Sequence, residues 1–427
     1  MISLSLGWLS RDGKLLLAAR IARTFAYGFL SVILSIYLKL IGYNELLIGL
    51  ILSFTLVNSV IFSLIASFYA DRLGRRKMLI VYAALMSVSG AIFFVTDNYV
   101  ALIVSAFIGT INVTGSETGA FLSIEQAILP QTISQEDSKK RKNTLYAIYN
   151  MAGTFAMSAG VLLSGLPLIL QHQYGLGQVE SIKPLFLLYS ILGLGVVGIY
   201  FSLSKKIEIS KHDDQDLNRP ERKSKSEISF QLSLSPKSRR IVGKLSGLFA
   251  VDSFAGGFVI QSIVSLWFFI RFGADLSTLS YIFSIAGVLT AFSFIGAARL
   301  ADRIGLINTM VFTHIPSNVL LILVAFVPTL PVAIAVYVAR MALSQMDVPT
   351  RQSYIVGVVS EDERTTAAGI TNISRNVAQS VSPSIAGSIL QSLSILSAPF
   401  IIGGVLKIVY DIALYVNFKN TKPSDES

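Results

Sequence analysis

Arg20 and Arg23, Glu117, Asp252, Arg340, Asp347 with Arg351, and Arg375 all fall inside long apolar stretches of the chain. A charge in hydrocarbon costs about 2.5–3.5 kcal/mol on insertion scales, so such residues face a protein interior or a wet cavity. Their spacing separates two chemistries. Asp347 and Arg351, at i and i+4, share a helix face and can neutralise each other, and Lys407 with Asp411 reads as a second structural pair of that kind. Glu117 and Asp252 have no basic residue three or four positions away. Burial favours the neutral form of a carboxylate, so such a group can take up and release a proton, as a coupling site must. Glu117, if ionised, needs a partner from another helix, with Arg20, Arg23 or Arg340 available. The arginines also outnumber the carboxylates, and guanidinium groups hold anions bidentately, which suits an anionic solute. For any one of these residues, an ion pair that only keeps helices in register is the competing reading.

The elements that must position them are membrane helices. Hydrophobic residues make up 53% of the chain and charged ones 14%, against about a quarter charged in soluble domains; mean hydropathy is +0.65. With about 20 apolar residues needed per crossing, twelve spans are expected. Six lie roughly at 14–40, 45–69, 78–96, 99–123, 144–170 and 184–204. Six more lie roughly at 241–271, 277–300, 308–327, 331–352, 366–393 and 397–418. Open strand edges would leave backbone groups unpaired in lipid, so the expected fold is all-α. Residues 1–204 and 241–427 form two halves, joined by a charged linker at 205–240. Lys and Arg collect in alternate loops, at 72–77 and 139–142 and in the linker, which places those loops and both termini in the cytoplasm of a plasma-membrane protein.

Several classes drop out. There is no cysteine, and His172, His212 and His314 are scattered, so neither a disulfide nor a metal cluster is expected. The net charge of +10 lies in loops between spans and not on one face, which argues against nucleic-acid binding. No phosphate-binding glycine loop or nucleophile–base pair suggests an enzyme or a cofactor. The first apolar run is too long for a signal-peptide core.

Ala70-Asp71-Arg72-Leu73-Gly74-Arg75-Arg76-Lys77 returns as Ala301-Asp302-Arg303-Ile304-Gly305, with Asp302 lying 231 residues after Asp71. Ser134-Gln135-Glu136-Asp137 is echoed by Ser360-Glu361-Asp362-Glu363 at an offset of 226, which also relates Glu125 to Arg351. Recurring loop words between hydrophobic spans indicate a duplicated membrane unit. The Asp-Arg-x-Gly-Arg-Arg-Lys loop between spans 2 and 3, with a weaker second copy, resembles the major facilitator superfamily over roughly residues 13–418. Ser67 and Ala298 stand where that family usually has glycine, and the run from Met346 to Gln352 resembles a prokaryotic branch.

That resemblance implies two pseudo-symmetric six-helix bundles and secondary transport of a small solute by a monomer. It implies that Asp71, Arg72, Gly74, Arg75 and Arg76, with Asp302, Arg303 and Gly305, act as latches between the halves, the second copy being weaker. It also implies that spans 1, 4, 7 and 10 line a central cavity, where Arg20, Arg23, Glu117, Asp252, Arg340 and Asp347 would contact substrate or protons, joined by Arg375 on span 11. Glu125 and Arg351 would then face each other across the cytoplasmic mouth. A drug exporter is the second transport reading, weakened because span 4 lacks an arginine and span 5 a Gly-Pro word. A polytopic sensor or assembly protein is the alternative of another class.

Overall fold

The computed structural model describes residues 8–117, 119–133, 135–208, 234–360, 363–392 and 395–421; for 71, 135–144 and 206 only the backbone is described. The N-terminal half comprises α1 (Arg11–Leu40), α2 (Glu45–Leu73), α3 (Arg75–Val95), α4 (Tyr99–Ile108), α5 (Ala120–Ile128), α6 (Gln135–Leu163), α7 (Leu166–Tyr174) and α8 (Gln178–Phe201). The C-terminal half comprises α9 (Pro236–Gly257), α10 (Gln261–Phe272), α11 (Leu276–Ile304), α12 (Leu306–Val324), α13 (Leu330–Leu343), α14 (Asp347–Gly357), α15 (Arg364–Leu390) and α16 (Ala398–Phe418). The fold is all-α, with twelve spans in two six-span bundles. Spans 4, 5, 7 and 10 are each split into two helices.

Among the described residues, nine helical stretches are long and apolar enough to cross a membrane. The three spans outside that set are the fourth and tenth, which are interrupted, and α15, which is rich in Ser, Thr, Asn and Gln. Membrane spans give up apolarity where they line protein or water and not lipid.

Duplication is visible in the helix ends. Asn44 caps α2 by accepting from the Leu47 N–H at 2.9 Å, and Asp275 caps α11 by accepting from Thr278 at 2.7 Å. Both helices run 29 residues and stop at a glycine with positive φ, Gly74 at 99° and Gly305 at 85°. Cap and stop both repeat at the offset of 231 seen in the sequence. A side chain with a Cβ is strained at such φ, so glycine makes the turn into the next helix possible.

Span 4 departs from the single helix expected at 99–123. α4 stops at Ile108, the chain runs irregularly from Gly109 to Gly119, and α5 then carries it on to Ile128. Gly115 and Gly119 take φ of 78° and 109°, and Asn112, Thr114 and Ser116 bond to one another's side chains and backbone in place of a helical ladder. Span 7 breaks after Gly257, whose Cα faces Ser382 so closely that a Cβ would lie 2.5 Å from the serine Cβ. α15 continues through Ser382 and Pro383 without a break.

The two halves meet through α2 with α15, α6 and α7 with α11, and α1 with α10 and α11. The cross-half contacts lie towards one end. Ser262 Oγ donates to the Ser31 carbonyl at 2.8 Å, Ser35 Oγ to the Ser262 carbonyl at 2.7 Å, and Ser265 Oγ to the Val32 carbonyl at 2.9 Å. Gly49 abuts Pro383 and Gly387, and Gly287 abuts Ser158. This is the end away from the 72–77 loop and the linker. At the same end Asp97 accepts from the Tyr37 hydroxyl at 2.6 Å and pairs with Lys183 at 3.2 Å, and these two partners hold its carboxyl below the usual value.

The greater part of the 205–240 linker, 209–233, lies outside the described residues. Its ends are structured: Lys205–Ile207 form a 3-10 turn and α9 begins at Pro236.

Candidate functional site

Each half carries a buried ionic cluster, and each cluster joins the half's first span to its fourth. In the N-terminal half, α1 supplies Arg20 and Arg23 on its buried face. Arg23, fully buried, grips Glu125 bidentately, with Nη1 to Oε1 at 2.9 Å and Nη2 to Oε2 at 2.7 Å. Its Nη2 also reaches Glu117 Oε1 at 2.9 Å, and Arg20 Nη1 reaches Glu117 Oε2 at 3.0 Å. Glu117 therefore bridges the two arginines from the irregular segment of span 4. The hydroxyls of Tyr149 and Tyr200 donate to Glu125, and the Arg20 and Arg23 guanidinium groups lie over the Tyr149 and Phe121 rings at 3.9 and 4.2 Å. Charge-assisted bidentate bonds with stacking on both arginines make this a rigid, dry cluster.

The C-terminal half repeats the design with the signs exchanged. Here the first span supplies the carboxylate, Asp252 on α9, and the fourth supplies the cation, Arg351 on α14, at 3.3 Å. Arg351 also binds Asp347 at 2.7 Å. Asp252 Oδ1 takes its closest partner from α16, Lys407 Nζ at 2.6 Å. On α12, His314 Nδ1 lies 2.8 Å from Asp411 Oδ1, and Asn318 donates to Asp411 Oδ2 at 3.0 Å. Arg375 on α15 donates from Nε to Ser253 Oγ at 3.0 Å.

Two sequence expectations change. Lys407 and Asp411 do not pair with each other, because both residues point into the cluster, each takes a partner from another helix, and both are almost fully buried. Glu125 does not face Arg351; each is taken up within its own half, since a bidentate partner on an adjacent helix outcompetes a cation across a gap. Sequence reasoning left Glu125, His314, Lys407 and Asp411 out of the site. The signal available for them was the same as for the others, an ionisable group in an apolar run.

Arg340 stands apart. It is 7% exposed, sits in the last turn of α13, and has no carboxylate within ion-pair distance among the described residues. Its Nη1 contacts Met341 Sδ at 3.3 Å, its Nε is buried without a partner, and Tyr337 is the ring nearest it, at 5.9 Å. The negative end of the α13 dipole compensates only part of that charge.

At the loop word, the Glu208 carboxylate caps the N-terminus of α3, accepting from the Arg75 and Arg76 N–H groups at 2.7 and 3.1 Å. Arg76 Nε donates to the Tyr200 carbonyl at 3.2 Å, and its Nη2 to that of Phe201. These contacts run from the loop word to the end of α8 and to the start of the linker. Arg72, Asp302 and Arg303 are exposed, and the side chain of Asp71 lies outside the described residues.

Comparison with known proteins agrees with this architecture. Over 427 aligned residues the chain is 29% identical to the uncharacterized membrane protein YJR124C of Saccharomyces cerevisiae, covering 96% of this chain and 94% of the yeast protein. Its fold is similar to that of the nucleoside transporter NupG, with a TM-score of 0.70 at 14% identity, covering 96% of this chain and 99% of that one. It is also similar in fold to a D-xylose–proton symporter, with a TM-score of 0.70 at 14% identity over 97% and 99% of the two chains. The Major Facilitator Superfamily model matches residues 16–383, and the chain belongs to that superfamily.

Proposed function

We propose that this protein is a secondary active transporter that moves a small organic anion together with protons by alternating access. It works as a monomer in the plasma membrane, with both termini in the cytoplasm. Arg340 carries the reading. A buried guanidinium without a counter-ion is costly, and a substrate anion is the partner that would relieve it. The hydrogen bonds described between the halves lie towards one end, as rocking about a midplane site requires. In a protein of similar fold, the D-xylose–proton symporter, the coupled ion is a proton. The exposed Arg72, Asp302 and Arg303 are free to act as latch groups in the alternative conformation, with Gly74 and Gly305 supplying the turns.

The test is a thermal-shift screen of purified protein against small organic anions, neutral sugars and nucleosides, and organic cations. A ligand at a hundred times its Kd stabilises the bound state by about 2.7 kcal/mol. At least one anion should stabilise the wild type and lose its effect in Arg340→Gln. Stabilisation by neutral or cationic solutes alone, or an anion effect undiminished in Arg340→Gln, overturns the reading.

A further inference from the structure

His314 is the one ionisable side chain on α12, and nothing in anion binding accounts for its burial at 3% exposure. Its two ring nitrogens face two different carboxylates. Nδ1 is 2.8 Å from Asp411 Oδ1, and Nε2 is 4.0 Å from Asp252 Oδ1. With Nδ1–H donating to Asp411, the imidazole is held in one tautomer and its basic nitrogen is aimed at Asp252, a carboxylate already shared by Lys407 and Arg351.

The other groups around the ring come from the helices packed on α12, which are α11, α13, α14 and α16, and from α9 and α15 behind them. α16 brings Lys407, Tyr410 and Asp411, with the Tyr410 ring centroid 6.1 Å away edge-on. α14 brings Asp347 and Arg351, and α13 brings Arg340, whose carbonyl accepts from Ser317 of α12 at 3.4 Å. α9 brings Asp252 and α15 brings Arg375, while Arg299, Asp302 and Arg303 of α11 are exposed at the loop end. Asp252, Asp347 and Asp411 balance Lys407, Arg351 and Arg375 when the histidine is neutral. One proton on His314 leaves the cluster with a single net positive charge.

We propose that the His314–Asp411 pair is the site at which the transported proton is held, and that Asp252 passes its presence to the cavity. The proton is taken from cavity water onto Nε2, giving an imidazolium that keeps its Nδ1–H on Asp411, and is returned from Nε2 to water on the other side. No other bond changes. The new Nε2–H competes with Lys407 for Asp252 Oδ1 and loosens the 3.3 Å contact of Asp252 with Arg351 on span 10, which Asp347 still holds at 2.7 Å. The extra positive charge adds to that of Arg340 and strengthens the hold on a substrate anion. Proton and anion therefore favour each other's binding. This rests on the anion-transport reading for its purpose, and its test does not.

The chain contains three histidines, so 15N-histidine NMR of the full-length protein in lipid nanodiscs resolves the site without a substrate. His172→Gln and His212→Gln assign the His314 signals by elimination and leave the cluster untouched. His314 should show one tautomer at high pH, with Nδ1 protonated, and convert to imidazolium as the pH falls. The titration midpoint should move in Asp252→Asn, while the Nδ1-protonated preference should be lost in Asp411→Asn. A His314 that keeps one charge state from pH 5 to 9, or a midpoint indifferent to Asp252→Asn, overturns the proposal. A titrating His314 in a protein that no anion stabilises leaves the proton site standing and removes the substrate reading instead.

Discussion

Lys407 Nζ lies 2.6 Å from Asp252 Oδ1 across 155 residues of sequence, while Asp411, four positions from Lys407 on the same helix, bonds His314 instead. Both partners are buried, so each is worth most to the other. Asp252→Asn or Lys407→Met alone should destabilise by about 3–5 kcal/mol, since each strands a buried charge. The double variant should cost less than the sum, by a coupling of about 0.5–3 kcal/mol. Thermal unfolding in one detergent measures this, and strict additivity would deny the pair any role.

Arg340 should behave in the opposite way. With no carboxylate beside it, Arg340→Met removes an uncompensated buried charge and should raise stability by roughly 1 kcal/mol or more while abolishing transport, the exchange expected where a site stores strain for a ligand. A destabilised Arg340→Met would mean that the guanidinium has a structural partner.

Gly74 and Gly305 hold equivalent turns at φ of 99° and 85°. Alanine at either should cost about 1–3 kcal/mol in backbone strain alone. A Cβ at Gly74 also comes within 3.1 Å of Glu208 Oε1. Gly74→Ala should therefore lose stability beyond that strain, as followed by thermal unfolding, and a loss equally large in a Glu208→Ala background would show that the Glu208 cap is dispensable.

Gly49 sets how closely the halves approach. A Cβ there would lie 2.3 Å from the Pro383 carbonyl oxygen, a backbone atom that cannot turn aside. Gly49→Val should force the closed end apart. The chain has no cysteine, so spin labels at Tyr174→Cys and Phe326→Cys, both exposed at that end, can report the distance directly. It should lengthen in Gly49→Val, and an unchanged distribution would mean that the contact does not hold the end shut.

Glu363 ties the start of the second half together. Its carboxylate accepts from the Ser238 and Ser360 hydroxyls and from the Ser235 N–H, and these bonds, that of Ser238 first, bring it down to about 2 from 4.5. A lowered carboxylate stabilises fully above its ordinary value and loses that contribution as the pH falls through about 2. Wild-type stability should fall between pH 4.5 and 2 more steeply than that of Glu363→Gln, as followed by thermal unfolding. Parallel pH profiles would assign no linkage to this group.

Much of the architecture is set by local rules that a linear chain displays. Twenty apolar residues per crossing, the glycines of the repeated loop word at 74 and 305 and the offset of 231 make the twelve-span duplicated bundle legible before any coordinates. The charged residues that matter are legible too, because an ionisable group in an apolar run needs a reason to be there. Their pairing is not. Helical spacing reports neighbours three or four positions away, so it joins Lys407 to Asp411 and leaves Glu117 and Asp252 alone. In the folded chain Arg23 reaches Glu125 across 102 positions and His314 reaches Asp411 across 97. A charge in a low-dielectric interior takes the best-oriented counter-charge that packing brings near, and only the assembled helices decide which that is. The interruption of span 4 belongs to the same class. Its glycines allow the chain to leave the helix, but the arginines on α1 that hold Glu117 make that departure worthwhile.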